Sequence, residues 1–287
     1  MVYERESILK TLTYADIFDF PLLKSELWFF LISNKTVTKK SFKKALQNLS
    51  AKIVKENGYY CFSNRAAIIR ERIKKIKIQE EKRKKAQKIA TVLSFLPTIA
   101  CICLSGSLAV GNAKKDDDID FFIIAKKNTL WITRLLSFIM LSLMQKRRKR
   151  KEKQKDRICL NLFIDEKNLT LPDFLWDLYT AHETVQTLPL VNKNNVYEIF
   201  LLKNSWAYGY LPNAKKNLSV TIKTNDARDY SLFLPIEFIA KHLQLWYMRN
   251  HRTTEIITNF LLAFHPYDWR GQILSEYKKR LNQYNSV

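Results

Sequence analysis

Two aspartates that could hold a metal ion, Asp118 and Asp120, stand at the start of an apolar segment and follow a glycine–serine pair. The apolar run 98–104 precedes Gly106-Ser107, and a second apolar run, 121–124, follows the acids. This pattern predicts two strands joined through a Gly-Ser turn. Because side chains alternate along a strand, we expect the two carboxylates to share one face, with their Cα atoms roughly 7 Å apart.

Two carboxylates held this close repel each other unless a cation lies between them. Mg²⁺ is the natural candidate, because it prefers oxygen ligands and is usually held by one or two carboxylates together with substrate phosphates. Gly106 lacks a Cβ, so its backbone can approach a phosphate closely, and Ser107 offers a hydroxyl where a helix would begin. These residue types in this order predict a site for a triphosphate and its metal.

The segments 104–107, Leu-Ser-Gly-Ser, and 118–121, Asp-Ile-Asp-Phe, are separated by ten residues. This arrangement resembles the DNA polymerase beta-like nucleotidyltransferase superfamily, whose signature is an apolar strand, Gly-Ser, a short insert and Asp-x-Asp. The resemblance implies that the glycine and serine hold the nucleotide phosphates and that the two aspartates bind Mg²⁺. It further implies an NTP as substrate and transfer of a nucleoside monophosphate to a hydroxyl acceptor.

Two other interpretations of the acidic stretch remain open in the sequence. Asp116 and Asp118 also form an Asp-x-Asp pair, although the later pair adjoins the apolar strand as the pattern requires. Alternatively, the four aspartates between 116 and 120 form only a solvated acidic turn after Lys114-Lys115.

The superfamily normally adds a third carboxylate from a neighbouring strand, and this chain departs from that pattern. The next predicted strand, 157–165, has Asn161 as its one polar interior residue, and an amide binds metal weakly and cannot remove a proton. Asp165 at the strand end and Glu183 further on are candidate substitutes in catalysis. Each also fits a structural role, Asp165 as a turn acid and Glu183 on a solvated helix face.

This departure leaves a second function open. The chain would then be a DNA-binding regulator whose nucleotidyltransferase-like domain senses nucleotides without turning them over. A third possibility, modification of a partner protein on tyrosine or serine, is neither supported nor excluded by the sequence.

Residues 1–65 show a different pattern. Apolar spacing predicts helices near 8–18 and 22–32 and a third helix capped by Thr38, and Asn57-Gly58 predicts a two-residue hairpin turn. Three helices and a hairpin resemble a winged helix-turn-helix domain. The resemblance implies that the third helix meets nucleic acid, although many such domains serve only for packing or protein interaction.

The remaining chain completes a predicted mixed α/β (α+β) fold, a nucleotidyltransferase mixed sheet flanked by helices. We expect a linking helix over 66–97, a nucleotidyltransferase domain over 98–190 and a C-terminal helical region over 191–287. Within that last region, apolar spacing predicts helices at 234–249 and 253–264.

Charge and composition limit the partners. The 287 residues carry 49 Lys and Arg against 27 Asp and Glu, a formal charge of +22 that favours nucleic acid first and anionic membrane second. The basic stretch 145–157 predicts a loop able to reach a nucleic-acid backbone, or a merely solvated insertion. The chain starts with polar residues, its four cysteines are scattered, and its most apolar segment, 131–144, is too short to span a bilayer. These features predict a cytoplasmic protein with no membrane partner.

Overall fold

A computed structural model describes residues 2–148, 155–215, 233–249, 255–264 and 269–285. The predicted mixed α/β fold is confirmed: these residues contain a six-stranded mixed sheet, a separate three-stranded sheet and helices around both. Among the described helices, none is both long enough and apolar enough to cross a bilayer.

The N-terminal unit consists of three helices and a small antiparallel sheet. Its elements are α1 (Val2–Asp16), β1 (Leu22–Leu23), α2 (Lys24–Phe29), α3 (Lys39–Gln47), β2 (Ile53–Glu56) and β3 (Tyr59–Phe62). The predicted cap is present, since Thr38 Oγ1 accepts a hydrogen bond from the Ser41 N–H at 3.2 Å. Asn57 and Gly58 form the predicted hairpin turn with φ of 50° and 83°. The likeness to a winged helix stays a prediction.

A long helix, α4 (Ala67–Leu93), links this unit to the larger sheet. Arg72 near its start donates to both carboxylate oxygens of Glu26 in α2, at 2.8 and 2.6 Å. Further along, the buried Lys82 donates to the Asp117 carbonyl at 2.6 Å and to Asp156 at 3.0 Å. Because a buried lysine needs such partners, this contact fixes the loop that leads into Asp118.

The larger sheet has the strand order β7-β4-β5-β6-β9-β8, with β5 and β6 parallel and the other neighbours antiparallel. Its strands are β4 (Ile99–Leu104), β5 (Ile119–Ala125), β6 (Ile158–Asp165), β7 (Leu188–Asn192), β8 (Ile256–Ile257) and β9 (Leu261–Ala263). The helices around it are α5 (Gly106–Val110), α6 (Leu130–Leu143), α7 (Leu178–Gln186), α8 (Val196–Lys203), α9 (Leu234–Met248) and α10 (Trp269–Asn285).

Alternation along β5 divides its side chains between two cores. Ile119, Phe121 and Ile123 pack with α4 and α6 on one face of the sheet. Phe122 and Ile124 pack with α8 on the other face. Asp120 has the parity of Phe122, so its carboxylate lies on the α8 face, at the end of the strand where the apolar core stops.

The prediction of a helix over 253–264 is wrong for the residues that the structure describes. Residues 253 and 254 lie outside them, and the rest contains the two short strands β8 and β9 and no helix, with Leu262 of β9 opposite Phe163 of β6. The β-branched pair Ile256-Ile257 favours extended backbone, and the open edge of β6 supplies hydrogen-bond partners that apolar spacing alone does not reveal. The predicted C-terminal region is therefore not purely helical.

Candidate functional site

The turn after β4 brings Gly106 against Asp120. The Ser105 N–H donates to the Asp120 carbonyl at 3.1 Å and so joins the end of β4 to the start of β5. Gly106 has φ of +60°, and a Cβ at this position would lie 2.7 Å from Asp120 Oδ2. A left-handed conformation and a contact this short both require glycine. The Gly-Ser turn and the acid pair are separated by ten residues in the sequence and are in contact in the fold.

Asp118 and Asp120 form a compact group with an unpredicted third member, Cys159. One ligand atom from each of the three side chains lies within 4.8 Å of the others. The parallel pairing of β5 and β6 places Cys159 directly opposite Asp120. Two carboxylates and a thiol are a donor set able to hold a divalent cation, with the oxygen pair suited to Mg²⁺ and the thiol to softer metals.

The sequence prediction named Asn161, rather than Cys159, as the polar residue of the neighbouring strand. A β-bulge accounts for the difference, because Leu160 pairs with Phe121 while Leu162 pairs with Phe122, which leaves Asn161 without a partner in β5. Asn161 instead lines a cavity beside the acid pair. The residue of β6 opposite Asp120 is therefore Cys159 and not Asn161, while the role of Asn161 as the third-carboxylate equivalent and metal ligand stays a prediction.

The charges of this group are poorly solvated. Burial, together with the charges of Asp118 and Glu183, raises the pKa of Asp120 to about 7. Burial also raises the pKa of Asp118, and it raises the pKa of the Cys159 thiol to about 12. Each of these groups resists ionisation in the metal-free protein, so a cation placed among them would be bound with a gain in electrostatic free energy.

Arg148 provides one such positive charge. Its Nη1 atom lies 2.8 Å from Asp118 Oδ2 and donates to the Cys159 sulfur at 3.5 Å. Arg148 belongs to the predicted basic loop 145–157, of which residues 149–154 lie outside the described residues. At the other end of that loop, Asp156 accepts hydrogen bonds from Lys82 and Lys85. The described ends of the loop therefore pack on the domain, and a nucleic-acid contact through it stays a prediction.

Asp165 lies away from the acid pair. It stands opposite Ala125 at the far end of β6, roughly 20 Å from Cys159 at the usual rise of a strand. Its carboxylate accepts hydrogen bonds from the backbone N–H groups of Asn128 and Lys167, at 3.0 and 2.7 Å. This is the turn-acid role, so the structure does not support Asp165 as a substitute catalytic carboxylate.

A cavity of about 370 Å³ lies between the sheet and α7, lined by Ser105, which precedes Gly106, and by Phe122, two residues after Asp120. Most of its wall is apolar, including Phe122 of β5 and Phe200 of α8. Ser105 and Asn161 are among the polar groups in the wall, and the buried Ser105 Oγ has no hydrogen-bond partner among the described residues. A buried hydroxyl without a partner is costly, and a bound ligand would supply one. Ser105 belongs to the Leu-Ser-Gly-Ser segment but was not predicted as a site residue.

Glu183 of α7 faces the same cavity. Burial raises the pKa of its carboxyl to about 7. Its charge raises the pKa of Asp120 and also that of Tyr179, one turn earlier on α7. The solvated-face interpretation of Glu183 is thus wrong, and the structure brings this acid into the electrostatic neighbourhood of the pair. A carboxyl that titrates near neutrality beside a cavity is suited to accept a proton from a bound hydroxyl.

Residues 86–198 match a family model described as a nucleotidyltransferase domain. The matched range contains the Gly-Ser turn, the acid group and Glu183, and runs from the second half of α4 into α8. The predicted likeness of this part of the chain to nucleotidyltransferases is confirmed. No curated protein and no solved structure matches the chain.

Proposed function

We propose that the chain transfers a nucleoside monophosphate from an NTP to a hydroxyl acceptor, with a divalent cation, Mg²⁺, held by Asp118 and Asp120. The observation that carries the proposal is the contact of Gly106 with Asp120 inside the matched domain. This contact is possible only because position 106 has no side chain. Such close backbone approach is typical of sites where main-chain groups meet phosphate.

The donor set fits the proposed cation. The ligand atoms of Asp118 and Asp120 lie within 4.8 Å of each other, and burial penalises their charge in the absence of a cation. When bound, Mg²⁺ would offset the charge of the triphosphate and of the departing pyrophosphate. Gly106 and Ser107 would hold the nucleotide phosphates, as the family resemblance implies. Arg148, already beside Asp118, offers a guanidinium able to bind phosphate oxygens.

The acceptor would bind in the cavity beside the acids. Its apolar wall fits an acceptor with an apolar body, while Ser105 and Asn161 would orient the reacting hydroxyl. Glu183 would take the hydroxyl proton as the acceptor oxygen forms its bond to the α-phosphorus. The bond from that phosphorus to the bridging oxygen breaks, and pyrophosphate leaves. Glu183 thus does the work that the third carboxylate does in the superfamily.

One observation favours the second candidate function, a nucleotide-sensing regulator without turnover. The residue opposite Asp120 is Cys159, whose thiol has a pKa raised to about 12 and so cannot serve as a base near neutrality. The regulator would bind nucleotide and cation at the same acids and release no pyrophosphate.

Transfer of label separates the two functions. The full chain would be incubated with each of the four NTPs labelled at the α-phosphate, with Mg²⁺ and with pools of small hydroxyl compounds, nucleic acid or protein. We expect label to enter one pool, with release of pyrophosphate, and chelation of the cation to stop it. Nucleotide binding without transfer into any pool would favour the regulator, and absence of cation-dependent nucleotide binding would contradict both functions.

Replacement of Gly106 by alanine is expected to reduce transfer about a hundredfold, because its Cβ would displace the Asp120 carboxylate. The left-handed backbone adds a loss of roughly 1–2 kcal/mol in the free energy of unfolding. Gly209→Ala is the matched control, since a Cβ there meets nothing within 4 Å. Initial rates and urea unfolding of both variants would test this. Equal rates in the two variants would contradict the assignment of Gly106.

A further inference from the structure

The helix α9 exposes most of its large apolar side chains, with His242 among them, and turns Glu237 and Gln244 inward. Seven large apolar or aromatic side chains of α9 are between 47 and 72% exposed: Tyr247, and the six residues Leu234, Ile236, Phe238, Ile239, Leu243 and Trp246. We call these six residues the α9 outer face. Scattered exposed apolar residues are ordinary, but a continuous set on one helix marks a surface that binds a partner.

The inner stripe of α9 explains why the helix has this orientation. Glu237 accepts hydrogen bonds from the backbone N–H groups of Trp131 and Ile132 at the start of α6, at 2.8 and 2.9 Å. Two turns after Glu237, the buried Gln244 donates a hydrogen bond to the Trp131 carbonyl at 2.8 Å. These polar contacts fix the face that meets the domain. The apolar outer face is therefore a result of specific docking and not of a loosely placed helix.

We propose that the α9 outer face binds the surface of an anionic lipid bilayer, in contrast to the sequence prediction of no membrane partner. Its apolar side chains, with Trp246 near one end and Arg249 directly after the helix, suit contact with the apolar layer and the headgroups of a bilayer interface. The one acid of α9, Glu237, points inward and leaves no carboxylate on this face. Such a helix lies along the interface and does not need the length of a membrane-spanning helix.

The charge of the chain favours an anionic bilayer over two other partners, a second copy of the chain and nucleic acid. Each chain carries a formal charge of +22, so two copies repel each other, while an anionic bilayer attracts either one. Nucleic acid would also be attracted, but an apolar face gives phosphates no donors. An anionic bilayer offers both an apolar layer and negative charge at one surface.

The test measures co-sedimentation of the full chain with vesicles. We expect binding to vesicles of phosphatidylcholine mixed with phosphatidylglycerol, and at least about tenfold weaker binding to phosphatidylcholine alone. Added salt should reduce the binding to the anionic vesicles. The double variant Phe238→Gln/Trp246→Gln should bind the anionic vesicles at least about tenfold more weakly than wild type, because both side chains would enter the apolar layer.

Phe95→Gln is the matched control, because Phe95 is 80% exposed just after α4 and outside the α9 outer face. It should bind vesicles as wild type does, and all variants should keep the wild-type circular dichroism. Failure of wild type to bind anionic vesicles, or an equal loss in Phe95→Gln, would overturn the proposal. The proposal would also be overturned if the chain bound no vesicles and formed a dimer in sedimentation velocity that Phe238→Gln dissociates. Unfolding of Phe238→Gln would overturn it as well, because it would indicate that another part of the chain covers Phe238. None of these outcomes depends on nucleotidyl transfer.

Discussion

Asp120→Asn is expected to lower the rate of nucleotidyl transfer by a factor of at least about 1000. The substitution keeps the shape of the side chain beside Gly106 but removes one of the two charges proposed to hold the cation. Loss of one charged group that offsets developing negative charge usually costs two to three orders of magnitude in rate, and loss of the cation itself costs more. Initial rates with α-labelled NTP at several Mg²⁺ concentrations would measure it.

The same substitution should stabilise the metal-free fold. The pKa of Asp120 is about 7 in the folded chain, against an ordinary value of 3.8, so ionisation of this carboxyl costs folding free energy. The cost begins above pH 4, grows until pH 7 and is constant above that. Because the side chain keeps part of its surface exposed, we expect Asp120→Asn to gain about 2 kcal/mol at pH 8 and almost nothing at pH 4. Urea unfolding in the presence of a chelator would test this.

Asp165→Asn is the matched control for these two measurements. Asp165 is also a buried carboxyl, with a pKa raised to about 6, but its partners are the backbone groups of a distant turn. We expect this variant to transfer label at a rate within a few fold of wild type. Activity in Asp120→Asn equal to that of Asp165→Asn would contradict the assignment of Asp120. Together, lost activity and gained stability in Asp120→Asn, beside near wild-type activity in Asp165→Asn, would identify a site kept for function at the expense of stability.

The acid pair and its turn could be predicted because they are local in sequence. A strand, a turn glycine and a following strand lie within about twenty residues, and side-chain alternation alone places Asp118 and Asp120 together. The Thr38 cap and the Asn57-Gly58 turn were predictable for the same reason, since each depends on the residue types of a few neighbours.

The third member of the acid group could not be predicted, because it depends on how two strands pair. Asn161 was the polar residue that stood out in an apolar strand, and a regular strand would also put Cys159 on its face. Which of the two lies opposite Asp120 is set by the parallel register, and the bulge at Asn161 then aims its side chain into the cavity. Neither feature has a signal in the residues of β6 alone.

The position of Glu183 is a second case of tertiary information. Helical spacing placed it on α7, but only the packing of α7 against the end of the sheet brings it toward the acids. Burial then changes its chemistry, raising the pKa of its carboxyl to about 7. Asp165, nearer to the acids in sequence, was the simpler candidate and lies at the wrong end of β6. Distance along the chain is a poor guide once strands run in parallel.

Glu183→Gln is expected to lower kcat by about 100-fold to 1000-fold, the usual contribution of a positioned base. In wild type at saturating Mg²⁺ and NTP, kcat should rise with pH up to about 7 and then level, because only the ionised Glu183 accepts the acceptor proton. The glutamine variant should lack this rise. Glutamine keeps the size of the side chain, so the affinity for Mg²⁺ and NTP should stay within a few fold of wild type.

Glu198→Gln serves as the matched control, because Glu198 lies on α8, pairs with the Asn192 amide at 2.7 Å and does not line the cavity. Its rate and its pH profile should equal those of wild type. A Glu183→Gln variant that loses NTP affinity in proportion to rate would place the residue in nucleotide binding instead. A variant with full kcat and an unchanged pH profile would remove Glu183 from the mechanism, and the chain would then need another group to take the hydroxyl proton, since Cys159 stays protonated near neutrality.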